Sequence, residues 1–355
     1  MNRKVTLLYI SLACVLSMQA QTRQQMGGVY YAYPEGPSAK TGTFGTATYV
    51  MSDSLSVPQG YAPFYISHYG RHGSRWMPKD DRYVWICKHF EDESNLTPLG
   101  LQVKGMLLRV WENARGNGGK LSKLGALQHQ GIAHRMFERY PHIFAAGNAV
   151  KARSSVVDRC AKSMQAFTSE LHTLQPGLNL DVKTDSADMA WIAYVSPEVK
   201  ALENRTHVQA QVSPRRFLLQ LFKDVSKVDD PLKLMTEMHT VASSIQDVGL
   251  NFSSYPQDIE DGLNALFTDD EFRAIYEANN LRMAINNGTV ATNEDIPARS
   301  AISLWQNIEA EADRALRSVK SSATLRFGHD TALYRLLSLL FDVNVPPAGA
   351  REEAS

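Results

Sequence analysis

Arg71-His72-Gly73-Ser74-Arg75 sets one imidazole between two guanidinium groups. Each guanidinium can fork onto two oxygens of a phosphate and cannot lose its charge. A neutral imidazole between them can attack phosphorus, because the arginines cancel the repulsion that keeps nucleophiles away from an anion. Gly73 would let backbone and ligand approach closely. A basic surface turn is the plain alternative for so short a run. Gly328-His329-Asp330 offers the complementary chemistry: His329 can donate to a phosphoryl oxygen, and Asp330 can protonate a departing alkoxide. By itself that segment equally fits a capping Asp beside a surface His. Asp158-Arg159 adds a third guanidinium, which alone would read as a local salt bridge.

These groups can act together only if secondary structure gathers them. Phe64 to Tyr69 is an aromatic and β-branched run ending in a glycine turn, which predicts a strand directly before Arg71. Ala149 to Arg153 predicts a second strand before Arg159, and Ala323 to Phe327 a third before His329. Apolar residues at helical spacing predict helices from Pro98 to Ala114, Leu124 to Tyr140 and Val157 to Leu174. Strands alternating with helices indicate an α/β fold with a buried, mainly parallel sheet. In such sheets ligands bind beyond the carboxyl ends of the strands, where all three groups fall. Between 195 and 300 the pattern is helical: Arg215 to Val225 after Ser213-Pro214, Pro231 to Val248, and a helix opened by the Thr268/Glu271 capping box and running through Asn279. Ile302 to Val319 predicts a further helix before the last strand. Arg115 to Lys120 is a break and not a phosphate-binding P-loop, since Leu121 follows Lys120.

The chain has 355 residues, 44% hydrophobic and 21% charged, with 37 basic and 37 acidic side chains. That apolar fraction excludes disorder, and the zero balance argues against a nucleic-acid binder. Asn2-Arg3-Lys4, the apolar run Val5 to Leu16 and Met18-Gln19-Ala20 form the layout of a secretory signal, 1–20, so a secreted or periplasmic location is expected. The run is shorter than the roughly 20 residues a membrane span needs. Lipoprotein anchoring at Cys14 is the lesser alternative. After cleavage Cys87 and Cys160 would remain, either paired or as two separate thiols. No Cys/His cluster has zinc-ligand spacing, and His129 and His134 read as surface or packing residues.

Taken together, the motifs resemble those of the histidine acid phosphatases, the branch of the histidine phosphatase superfamily that includes bacterial phytases. Arg71 to Arg75 resembles the family's Arg-His-Gly-x-Arg signature, and His329-Asp330 its distal His-Asp pair. Leu96-Thr97-Pro98-Leu99-Gly100 is similar to its Leu-Thr-x-x-Gly helix start, and Arg153 to Phe167 to its third-arginine segment. The resemblance implies that His72 is a nucleophile forming a phosphohistidine. It implies that Arg71, Arg75, Arg159 and His329 hold the phosphoryl group, and that Asp330 is the proton donor. It further implies a phosphoglycerate-mutase-like core with an inserted helical cap and no metal or other cofactor. The expected division is a core of 21–194 and 301–355, with a cap of 195–300.

Trp76 and Met77 precede Pro78, as in some inositol-polyphosphate phosphatases, although those relatives tend to carry His-Ala-Glu where His329-Asp330 stands. Few residues follow Asp330, so a core shortened at its C-terminus is expected. The expected partner is a phosphorylated small molecule, an inositol polyphosphate or a sugar phosphate. Lys79, Arg82, Arg215 and Arg216 are candidates for a basic rim, against the reading that they are ordinary solvated charges. The competing functional reading is a catalytically inactive phosphate- or glycan-binding surface protein.

Overall fold

A computed structural model of the chain describes residue 57 and residues 59–290, 292–318 and 320–341. The expected signal at 1–20, nearly all of the stretch 21–60 expected to be irregular and the polar ending 351–355 lie outside the described residues.

Among the described residues four strands form one parallel sheet in the order β1-β4-β2-β3: β1 (Tyr65–Arg71), β2 (Ala149–Ser154), β3 (Asn179–Thr184) and β4 (Ser322–Gly328). The register brings three strand ends level, with Arg71 opposite Gly328 and Ser154 opposite Phe327. The segments carrying His72, Arg159 and His329 therefore leave the sheet at one carboxyl edge. Alternation along β4 sends Ala323, Leu325 and Phe327 to one face and Thr324 and Arg326 to the other. Arg326 is fully buried, and its guanidinium is satisfied by Asn307 Oδ1 at 2.9 Å and Ser67 Oγ at 3.0 Å.

The helices are α1 (Asp80–Lys88), α2 (Pro98–Ala114), α3 (Lys123–Arg139), α4 (Asp158–Leu174), α5 (Met189–Ile192), α6 (Pro197–Arg205), α7 (Arg215–Leu221), α8 (Pro231–Val248), α9 (Gln257–Asn264), α10 (Asp269–Asn287), α11 (Ile296–Arg299), α12 (Ile302–Leu316) and α13 (Asp330–Leu340). The helices α3 and α4 cover one sheet face through Ala133, Met164, Phe167 and Leu171, packed on Val150, Leu325 and Phe327. On the other face Leu304 and Leu336, from α12 and α13, pack with Tyr69 and Trp191.

A second apolar cluster lies outside the sheet. Leu234, Met238 and Ile245 of α8, Phe217 of α7 and Phe272 of α10 meet Val103 and Leu107 of α2 and Ile86 of α1. The two early helices thus share a core with the segment from 210 to 275. Thr97 caps α2 by accepting from the Gly100 amide at 3.0 Å, and its hydroxyl donates to the Gln220 carbonyl at 2.5 Å. A Cβ on Gly100 would stand 2.2 Å from the Leu221 carbonyl oxygen. The Leu-Thr-x-x-Gly segment is therefore a helix-to-helix joint.

Several boundaries differ from those expected. The helix α7 stops at Leu221, because Phe222 turns extended and bridges to Leu96; a separate 3-10 turn follows at Val225–Lys227. The capping box forms in both directions, but α10 continues past Asn279 to Asn287. The helix α12 ends at Leu316.

Candidate functional site

Beyond Arg71 the ladder runs one residue further, the His72 amide donating to the Gly328 carbonyl at 3.0 Å. The loop is then fixed by groups from two helices. The Gly73 amide donates to Ser163 Oγ at 3.0 Å, and that hydroxyl donates to the Arg159 carbonyl at 2.8 Å, both within α4. The Ser74 amide donates to Gln128 Oε1 of α3 at 2.8 Å. A Cβ on Gly73 would stand 2.3 Å from the Gly125 carbonyl oxygen. The close approach that requires glycine is thus to the start of α3, where a ligand had been expected. His129, buried on α3, donates Nε2–H to the Arg71 carbonyl at 3.1 Å, whereas His134 pairs with Glu170 at 3.0 Å.

His72 Nδ1 lies 2.8 Å from the Gly73 carbonyl. A carbonyl only accepts, so Nδ1 carries the proton and Nε2 keeps its lone pair. Burial, reinforced by the charges of Arg71, Arg159 and Arg75, pushes the His72 pKa down to about 2. Burial, with Arg159 and the other two arginines, lowers His329 to about 4 against the opposing pull of Asp330. Both imidazoles are neutral at moderate pH. The two rings meet edge-on with centroids 5.8 Å apart. Asp330, at the first position of α13, pairs with Arg71, its Oδ2 3.2 Å from Nε.

A cleft of about 850 Å³ opens over this edge. Arg71, His72, Arg75 and Asp330 line it together; His329, its ring 5.8 Å from that of His72, and Arg159, whose charge acts on both histidines, stand next to them. Arg75 and Arg159 each keep a buried Nε that has no hydrogen-bond partner among the described residues. Asp158 turns away to Lys162 at 3.0 Å.

Of the four candidate rim cations only Arg82 lines the cleft, and Glu237 holds it at 2.6 Å. Arg216 is engaged by Glu271 and the Leu266 carbonyl, while Lys79 and Arg215 do not reach the cleft. The wall contains groups that sequence reasoning missed: Asn279, Asn280 and Arg282 of α10, and Asp247 of α8. Arg282 has no ion-pair partner among the described residues. Its signal was the apolar period continuing through Leu281 and Ile285, which carries α10 beyond Asn279.

Cys87 and Cys160 are both free thiols, which settles the pairing left open by the sequence. The Cys160 thiol points at the Gly328 carbonyl at 3.3 Å, and burial raises its pKa. Among the described residues no group of three or more His, Cys, Asp or Glu is placed to hold a metal ion. No described helix is long and apolar enough to cross a membrane.

No protein-family model matches the chain. It is 23% identical over 233 residues to Multiple inositol polyphosphate phosphatase 1 of Gallus gallus, a match covering 62% of this chain and 51% of that protein. The chain thus spans about half the length of the curated relative it matches. Multiple inositol polyphosphate phosphatase of Bifidobacterium longum superposes with a TM-score of 0.64 at 15% identity, covering 89% of this chain and 79% of its own. The same enzyme in complex with inositol hexasulfate superposes at 0.63. Phytase from D. castellii superposes at 0.59 with 13% identity, covering 89% of this chain and 67% of its own. The fold is the α/β fold of these histidine acid phosphatases.

Proposed function

We propose that the chain is a phosphomonoesterase that works through a covalent phosphohistidine, with inositol polyphosphates as its substrates. The observation that carries this reading is the His72 imidazole: neutral, with a free Nε2, set in the cleft with Arg71 and Arg75 and within the field of Arg159. The arginines and His329 take the non-bridging phosphoryl oxygens, and the buried Nε groups of Arg75 and Arg159 supply donors that otherwise lack acceptors. Nε2 attacks phosphorus as the ester P–O bond breaks, and the protonated Asp330 carboxyl gives its proton to the departing alkoxide. Water then attacks the phosphohistidine, the Asp330 carboxylate takes the water proton, and inorganic phosphate leaves with His72 restored.

For a polyphosphorylated ring, the size of the cleft and Arg282, which has no ion-pair partner among the described residues, suit a second phosphate of the same ligand, with Asn279 and Asn280 in the same wall. The names of the relatives point to the same substrate class. The helical unit of 195–300, with α1 and α2, serves in this reading as the cap over the cleft. Export to the periplasm or outside the cell rests on the layout of 1–20.

The test is turnover of p-nitrophenyl phosphate and inositol hexakisphosphate in mildly acidic, chelator-treated buffer by the wild type and His72→Ala. Hydrolysis by the wild type and its loss in a normally folded variant are expected. Hydrolysis retained in His72→Ala would overturn the mechanism.

A further inference from the structure

The cleft that gathers the arginines also holds a carboxyl group that the reaction does not use. Asp247 stands in the last turn of α8 and lines the cleft. Its Oδ1 accepts from Ser74 Oγ at 2.6 Å. Ser74 sits between His72 and Arg75, so this carboxyl is tied to the loop that presents the phosphate-binding groups. Arg71 and Arg75 attract it from that loop. Tyr255 faces it from the segment before α9, and its hydroxyl donates to Glu260 on α9. The other elements packed on α8 bring charges that are already engaged or turned elsewhere. These are Arg82 of α1 on Glu237 and Arg216 of α7 on Glu271, while Lys123 of α3 is exposed. On α8 itself His239 also lines the cleft, and across it Asp330 is occupied by Arg71.

A carboxylate here is in the wrong place for an anion site, because its charge repels an incoming phosphoryl group and offsets the field of the guanidinium groups in the same cleft. We propose that Asp247 gates phosphoryl binding by its protonation: ionised, its charge offsets those of Arg71 and Arg75 and repels the incoming anion, and protonated, it leaves their field to the ligand. The proposal rests on the phosphoryl-site reading above and adds a control on it. Burial pushes the Asp247 pKa up to about 6, against the pull of Ser74 and the two arginines, so the switch falls in a mildly acidic range. His72 and His329, lowered to about 2 and about 4, stay neutral across that range and do not share the transition. A bound anion raises Asp247 further, so binding takes up a proton. Affinity is then full below pH about 6 and declines as pH rises through it.

Inorganic sulfate tests this cleanly, because it is a tetrahedral dianion with no titration of its own at mild pH. Its affinity is measured calorimetrically about one pH unit below and about one and a half above the midpoint. Proton uptake is read from two buffers of different ionisation enthalpy. The wild type should lose about tenfold in affinity over that span and take up a proton on binding, the size expected from one nearby charge at protein-surface permittivity. Asp247→Asn, which keeps the acceptor and drops the charge, should hold the acid-side affinity at both values. Ser74→Ala removes the hydroxyl that pulls Asp247 down and should move the midpoint to higher pH, which keeps the test open if Asp247→Asn folds poorly. An unchanged pH slope in Asp247→Asn, an unmoved midpoint in Ser74→Ala, or binding without proton uptake would overturn the gate. Sulfate that binds folded protein at neither pH would overturn the phosphoryl-site reading together with it.

Discussion

Gly125→Ala is the sharpest perturbation of the loop that presents His72. An added Cβ would stand 2.3 Å from the Ser74 carbonyl oxygen and 2.8 Å from the Ser74 amide nitrogen. Ordinary contact begins near 3.4 Å, so loop and helix must separate by about 1 Å. The loop has no free direction in which to yield. The Ser74 carbonyl accepts from the Ser122 amide at 2.9 Å and from Ser122 Oγ at 3.0 Å, at the cap of α3. Its side chain is held by Asp247 and its amide by Gln128. A displacement of about 1 Å at a catalytic group costs on the order of 10²-fold in rate, and overpacking costs about 1–3 kcal/mol in stability. The expected result is a fall of about a hundredfold in kcat/KM on p-nitrophenyl phosphate, with a lower melting temperature. Gly105→Ala in α2 is the control: its Cβ would meet nothing within 4 Å, and relief of a helical glycine should raise stability by about 0.5–1 kcal/mol without touching the rate. A Gly125→Ala enzyme that melts cooperatively and keeps wild-type kcat/KM would refute the argument that this glycine contact places the nucleophile.

Other consequences are equally specific. Asp330→Asn should slow an alkyl phosphate by about 10²–10⁴-fold and p-nitrophenyl phosphate far less, since nitrophenolate leaves without a proton; equal losses would remove Asp330 from the donor role. Ser163→Ala strands the buried Gly73 amide, so thermal melts should report a loss of about 1–3 kcal/mol together with a lower kcat, and wild-type values for both would show the bond to be idle. Burial holds His68 and His129 down at about 4 from 6.5. The unfolded chain therefore binds protons in that window that the native protein refuses. Their contribution to stability is complete above pH 6.5 and is lost as pH falls toward 4, by up to about 1.4 kcal/mol per pH unit for each histidine. Melting temperatures that stay level across that window would contradict the burial argument.

The sheet was legible because β1, β4 and β2 are short runs rich in apolar and β-branched residues, each closely followed by polar, functional residues. Arg71, His72, Arg75 and Asp330 could be read on those grounds, since a strand end determines where the next side chains go. The strand β3, at the edge opposite β1, could not: Asn179–Thr184 is mostly exposed and polar, so no period marks it. The groups that hold the site were equally hidden. Ser163 and Gln128 are ordinary polar residues on helices, and their meaning arises only when α3 and α4 pack beside the loop. Asp247 and Arg282 lie far along the chain from His72 and reach the cleft through helix packing that no local pattern encodes. Gly73 signals a close approach, but the neighbour that requires it is a helix backbone and not a ligand. Arg82 and Arg216 carry the right charge for a rim, yet Glu237 and Glu271 neutralise them through contacts between distant segments.

The central claim is a phosphoryl group carried on His72. It is tested most directly by quenching turnover of inositol hexakisphosphate into alkali, where phosphohistidine survives, and locating the modified peptide by mass spectrometry. The account predicts phosphate on the His72 peptide in the wild type, its accumulation in the steady state, and its absence in His72→Ala. Turnover with no phosphate on His72, or with phosphate on another residue, would contradict it.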